Sequence, residues 1–258
     1  MIEQSDIIAD MHTHTIFSQH AYSTLQENIA AAMKMNLKYL AITDHIYNDG
    51  TSVQIKNEAT RCKYMEKEVN ANREEGQPYV ISGAEFNIAQ KLDYPNKLLK
   101  LRWRPIGLHG FKLDLEALSL GNLYLYFEKA TENHNAFAHI ERELHKVDHC
   151  RHGERLDDDV KSFFRAMIRL AKSKDILLEL NESSLRNNND GNALKIKYWL
   201  TIAKEHECRI YLASDAHYCK RIGKFPLSIA LLNELDYPKE LILSCNEDQI
   251  KKYLNINE

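Results

Sequence analysis

Seven short apolar runs punctuate this chain, and six of them carry a potential metal ligand at or near the C-terminal end. The runs are Ile7–His14, Tyr39–His45, Tyr79–Ile88, Trp103–His109, Ala136–Ile140, Ile176–Asn181 and Arg209–His217. Between them lie stretches with helical periodicity: Thr24–Met35, Lys56–Glu75, Asn122–Asn133, Asp157–Ser173, Asn192–His206 and Phe225–Leu235, with Asn246 capping a last helix through Leu254. Thr24 and Glu27 have the spacing of a capping box, which sets the start of the first helix. Strands alternating with helices argue for a parallel sheet. With seven such units, no linker and no internal repeat in 258 residues, a closed barrel in one domain over residues 1–258 is expected.

In a parallel barrel the C-terminal strand ends share one face, where active sites are built. His12, His14, His45, Glu85, His109, His139, Asp215 and His217 fall at those ends, and His20 follows the first run closely. Core packing has no use for that bias, and surface histidines would scatter over the helices. His12 and His14 are two apart in a strand, so they point to one side and can grip one ion. Imidazole and carboxylate together suit zinc and other borderline divalent metals. Asp10 and Asp44, beside these positions, either orient imidazoles or satisfy backbone groups at strand ends. His134, His145, His149, His152 and His206 fall in helices or polar loops and read as exposed and without a task.

Composition narrows the function classes. A net charge of −3 lacks the basic footprint of a general nucleic-acid binder, although a nucleotide or a nucleic-acid end stays open as substrate. No apolar run approaches the ~20 residues of a membrane span, and the N-terminus shows no signal-peptide pattern. No membrane partner is therefore expected. Cys62, Cys150, Cys208, Cys219 and Cys245 are scattered, odd in number and free of CxxC spacing, which reads as reduced thiols in the cytoplasm.

The motifs DMHTHT, SQHAYST, AITDH, GAE, GLH, FAHI and ASDAH together resemble the PHP (polymerase and histidinol phosphatase) family. The stretches Ser18–Thr24 and Glu179–Ser184 are most similar to its stand-alone YcdX-type phosphatases, and the resemblance runs from Ile7 to Leu254. It implies a distorted (β/α)7 barrel holding up to three metal ions, with zinc, manganese and iron as candidates. It also implies a ligand set: His12, His14, Glu85 and Asp215 for one ion; Glu85, His109 and His139 for a second; His20, His45 and His217 for a third. Glu85, His139 and Asp215 would stand at the centre of catalysis. The implied chemistry is hydrolysis of a small phosphomonoester by a hydroxide that bridges two metals.

Substrate contacts are expected from Ser18, Arg142, Asn181, Ser184, Arg186 and Arg221, with Arg102 and Arg104 as further arginines near the site. The sequence departs from the family at Ile140-Glu141-Arg142, where relatives often carry Pro and Gly, and at Leu101-Arg102-Trp103-Arg104. Such loop positions usually choose the substrate. Three alternatives remain at this point: a phosphodiesterase or exonuclease, a metal amidohydrolase, and a PHP scaffold without activity.

Overall fold

The computed structural model describes residues 1–46, 52–87, 100–108, 119–142, 144, 147, 156–188 and 191–256. Among these, eight strands form two parallel sheets. The first contains β1 (Ala9–Thr13), β2 (Tyr39–Ile42) and β3 (Tyr79–Ser82); the second contains β4 (Phe86–Asn87), β5 (Pro105–Gly107), β6 (Ala136–Phe137), β7 (Leu177–Asn181) and β8 (Ile210–Ala213).

Two seams join the sheets into a ring. At one, Thr13 bridges Ala216, with the Asp215 amide donating to the His12 carbonyl (2.9 Å) and the His14 amide to the Ala216 carbonyl (3.0 Å). At the other, Gly83 bridges Trp103 and His45 bridges Glu85. The run expected as one strand over Tyr79–Ile88 is thus β3 and β4, and the handover occurs at Gly83. A Cβ there would sit 2.9 Å from the Trp103 carbonyl oxygen, so only glycine lets the neighbouring chain come this close. Counting that run once, the seven-unit α/β barrel is the fold observed.

Sheet register explains how the first histidines turn inward. Ala9 pairs with Tyr39 and Asp10 with Leu40, but Thr13 pairs with Ile42. One extra residue therefore lies in β1 between Asp10 and Thr13, a bulge that reverses the alternation. Ala9 and Met11 pack with Tyr39, Ala41, Tyr79 and Ile81, while Leu40, Ile42 and Val80 pack outward on Ile29 and Ala32. Beyond the bulge Thr13 shares the side of Ile42, so His12 and His14 share the side of Ala41.

The expected helices are present as α1 (Leu25–Lys34), α2 (Ser52–Ala71), α3 (Leu120–Ala130), α4 (Asp158–Lys174), α6 (Asn192–Glu205), α7 (Pro226–Glu234) and α8 (Glu247–Leu254). Thr24 and Glu27 form the anticipated reciprocal cap of α1. Asp157 caps α4, which buries Val160, Phe163, Phe164, Met167, Ile168 and Ala171 at the three- and four-residue spacing of one helical face. A short α5 (Glu182–Arg186) was not expected. Asn181 caps it by accepting from the Ser184 amide, and buried Glu182 accepts from the Leu227 and Ser228 amides at the start of α7. No helix among the described residues is long and apolar enough to cross a membrane.

One histidine expected to be exposed is not. His134 is buried edge-on to Phe86, with Nδ1 3.2 Å from the Arg104 carbonyl, and burial pushes its pKa down to about 4. It is a neutral core residue whose polar edge meets a backbone group. His206 is exposed as expected. His145, His149, His152 and Cys150 lie outside the described residues.

Candidate metal centre

At the C-terminal ends of the strands, side chains from three strand ends converge on Glu85, and β8 brings Asp215 and His217 beside them. Glu85 Oε2 lies 3.2 Å from His12 Nε2, 3.5 Å from His14 Nε2 and 2.9 Å from His45 Nδ1, and its Oε1 lies 2.7 Å from His139 Nε2. Asp215 Oδ1 stands 3.2 Å from His14 Nε2, 3.5 Å from His217 Nδ1 and 3.9 Å from His12 Nε2. His20 reaches the group through the loop after β1, its Nε2 2.7 Å from His217 Nε2 and its ring stacked on His45. Of the nine expected ligands, only His109 lies outside the described residues.

The donor set fits divalent cations. His12, His14 and Asp215 bring one ligand atom each within a metal-sized cluster, and so do His14, His45 and His217. The Nε2 atoms of His12 and His14 face each other at 3.1 Å. Such a pair needs a shared proton or a cation between them, and with two carboxylates beside it a borderline metal suits the position. His139 (φ 27°) and Asp215 (φ 50°) both hold positive backbone angles, a strain that non-glycine residues carry mainly at functional sites.

Electrostatics divide the cluster. Burial opposes the charged form of His12, yet Glu179 and Glu85 raise its pKa well above the usual imidazole value. Burial drives His14 the other way, reinforced by the charge of His45. Burial and His217 also lower His20. Asp215 stays ionised well below the usual carboxylate range because Arg142, then His14, outweigh burial.

Behind these candidate ligands stands a layer of buried groups that orient them. Glu179 is the residue sequence reasoning passed over. Its Oε2 is 2.8 Å from His12 Nδ1 and accepts from the Tyr211 hydroxyl (2.6 Å), while its Oε1 accepts from Asn181 Nδ2 (2.6 Å). The signal was available: Glu179 sits in the one apolar run to which no ligand was given. Asp44 accepts from the Thr15 amide and hydroxyl, from Ser18 Oγ and from Arg61, and Ser18 Oγ lies 2.9 Å from His14 Nδ1. Asp44 therefore orients an imidazole through Ser18, whereas Asp10 satisfies the Ser214 and Gly223 amides.

This places the expected substrate contacts differently. Ser18 is fully buried against His14, Asp44 and the His45 amide, a positioning residue rather than one at the mouth. Arg142 donates from Nη1 to Asp215 (2.7 Å), from Nη2 to Asn181 (3.0 Å) and from Nε to Ser184 (2.7 Å). Asn181 and Ser184 are thus buried supports of Arg142. Arg186 turns to Glu182, and Arg221 is exposed in the turn after His217. Arg102 is committed to Glu66 and to the Leu254 and Asn255 carbonyls, and Arg104 to the Asn133 and Leu101 carbonyls, all away from the cluster.

Gly107 is the closest packing constraint on a ligand. A Cβ there would lie 2.7 Å from His139 Cε1 and 3.0 Å from the Ala138 carbonyl oxygen. Gly107→Ala is expected to push the His139 ring off Glu85 and weaken metal retention by about tenfold or more. Metal titration checks this, with thermal unfolding recorded beside it. Unaltered affinity in a folded variant would exclude His139 as a ligand.

Comparison with known proteins gives a consistent picture. The sequence matches the PHP domain family over residues 10–183. It is 30% identical over 252 residues to a protein of Clostridium botulinum (strain Hall) named a probable phosphatase, covering 96% of this chain and 94% of that one. A probable phosphatase of Vibrio parahaemolyticus is 28% identical over 256 residues, with 96% and 94% coverage. Among solved structures, histidinol phosphate phosphatase of Lactococcus lactis, complexed with zinc, L-histidinol and phosphate, superposes with a TM-score of 0.59 at 16% identity, covering 88% of this chain and 91% of that one. A Listeria monocytogenes protein named a putative histidinol phosphatase gives 0.59 at 15% identity, with 84% and 97% coverage. At these identities the two structures share the fold.

Proposed function

Because the chain belongs to the PHP domain family, we propose that it is a metal-dependent phosphoesterase, one domain that hydrolyses a small phosphomonoester. The observation that carries this reading is the convergence of four imidazoles on the single carboxylate of Glu85. Phosphatase names among its relatives, and a structural neighbour complexed with zinc and phosphate, support the same chemistry.

Up to three ions would be held: one by His12, His14, Glu85 and Asp215, a second by Glu85, His109 and His139, a third by His20, His45 and His217. Zinc, manganese and iron all suit these donors. Bound there, such ions lower the pKa of water and neutralise charge on phosphoryl oxygens. The protein's own groups do the rest. Glu179 and Ser18 fix the rings of His12 and His14 from behind. Asn181, Ser184 and Asp215 fix the plane of the Arg142 guanidinium, whose remaining N–H groups are left for phosphoryl oxygens. Arg142 also holds Asp215 ionised, as a ligand must be. The scattered, odd-numbered cysteines, without CxxC spacing, support a reducing compartment, the cytoplasm.

The test is elemental analysis of the purified protein with p-nitrophenyl phosphate turnover on the same preparation. About two to three metals per chain and turnover abolished by a chelator are expected. No uptake of zinc, manganese or iron would overturn the reading. Loaded metal that cleaves DNA ends and no monoester would replace the monoester by a diester.

A further inference from the structure

Trp103 lies wholly buried in the barrel interior, in the stretch Leu101–Arg104 where the sequence departs from the family. Two routes lead from its side chain to His12. The first runs through the backbone. Across the register shift of β1, Met11 and His12 together face Ala41, the one residue of β2 between Leu40 and Ile42. A bulge of this kind takes one residue out of the even ladder. Trp103 Nε1 donates to the Met11 carbonyl at 2.7 Å, and that carbonyl belongs to the peptide that joins Met11 to His12. The direction of this peptide sets how His12 leaves the strand, and His14, two residues on, leaves on the same side. The second route runs through side chains. The Trp103 ring meets Tyr211 edge-on, with centres 4.8 Å apart. The Tyr211 hydroxyl donates to Glu179 Oε2, the oxygen that faces His12 Nδ1.

The indole is itself held in place. The Trp103 amide donates to the Ser82 carbonyl and its carbonyl accepts from the Ala84 amide, each at 3.2 Å, at the seam that leads into Glu85. Gly83 makes room for the ring: a Cβ there would lie 3.1 Å from Trp103 Cδ1. A buried indole N–H must find an acceptor. Here the acceptor is the peptide beside His12, so one contact both satisfies the donor and fixes the bulge. We propose that Trp103 is a positioning residue of the metal centre, whose N–H holds the β1 bulge in the form that turns His12 and His14 toward Glu85. The inference rests on the phosphoesterase reading and adds to it a residue that acts through the Met11 peptide and through Tyr211. A ring that merely filled the barrel would have no use for the N–H.

Zinc titration against a competing chelator, with thermal unfolding recorded beside it, tests this. The chain has two tryptophans, so Trp199→Phe leaves Trp103 alone. In that background, biosynthetic replacement of tryptophan by benzothienylalanine exchanges the N–H for sulfur and keeps the two fused rings. The ion held by His12 and His14 is expected to bind about tenfold more weakly than in the Trp199→Phe protein itself. The ion held by His20, His45 and His217 should keep its constant; its step is the one that His217→Gln abolishes. Trp103→Phe in the otherwise unsubstituted chain should show the same selective loss, with a lower unfolding temperature from the smaller ring. Unchanged zinc constants in both proteins, or equal weakening of every ion, overturns the assignment. Zinc uptake and p-nitrophenyl phosphate turnover by the Trp199→Phe protein judge the phosphoesterase reading separately. Both present, with constants indifferent to the N–H, leave that reading intact and remove this one. No zinc uptake by that protein or by the unsubstituted chain overturns both.

Discussion

Glu85→Gln is expected to empty more than one metal position and to lower turnover by at least about a thousandfold. The two residues have the same shape, so packing around a side chain that is 1% exposed should survive. What changes is the chemistry of the end group. Glu85 presents both oxygens to imidazole nitrogens, Oε2 to His12, His14 and His45 and Oε1 to His139. The amide replaces one of those acceptors by a donor and removes the negative charge that a bridging ligand supplies to two cations. It also removes one of the two carboxylates that raise His12. Elemental analysis should show the loss as more than one ion per chain, while circular dichroism stays that of the unsubstituted protein. Full metal content with full turnover would show that Glu85 bridges nothing. Replacement of a ligand belonging to one ion, such as His217→Gln, is expected to remove a single ion, and the contrast separates a bridge from a terminal ligand.

Much of this architecture was legible because periodicity and position carry it. The helices α1 and α8 follow from capping residues, α4 and α6 from helical periodicity, and the strands from short runs that the helices separate. The ligand cluster followed from one topological rule, that parallel strand ends share a face, applied to where histidines fall. What was not legible depends on contacts between residues far apart in sequence. The extra residue of β1 shows itself only against the register of β2, and the break at Gly83 only against Trp103. The expectation that Ser18 contacts substrate arises because nothing local says that Asp44 closes over it. His134 was read as exposed because the partner that makes its burial tolerable is the carbonyl of Arg104, thirty residues away. Arg102 and Arg104 precede a candidate ligand in sequence, but their side chains turn to the carbonyls of Leu254, Asn255 and Asn133, residues distant in the chain.

Glu179 carries the second large effect, because it acts on His12, a candidate ligand, from the side away from the proposed ion. Its carboxylate is saturated: His12 Nδ1 and the Tyr211 hydroxyl at one oxygen, Asn181 at the other. Held this way it fixes the His12 ring with Nε2 toward the cluster and strengthens it as a donor. The same carboxylate, with Glu85, raises the His12 pKa, so in the metal-free protein His12 keeps its proton to a higher pH than an ordinary histidine. Metal uptake must expel that proton, and affinity therefore climbs as pH rises through the raised value. Glu179→Gln moves both quantities in known directions. At pH 8, where proton competition is weakest, affinity should fall by about 10–100-fold because the imidazole loses its anionic partner. The His12 pKa should fall too, so the climb with pH shifts lower and fewer protons leave per ion bound near neutrality. Metal titration at pH 6 and pH 8, repeated calorimetrically in buffers of different ionisation enthalpy, reads affinity and proton count together. A residue that merely supports the fold would weaken binding at both pH values alike and leave the proton count unchanged, and that pattern would remove Glu179 from the machinery of the site.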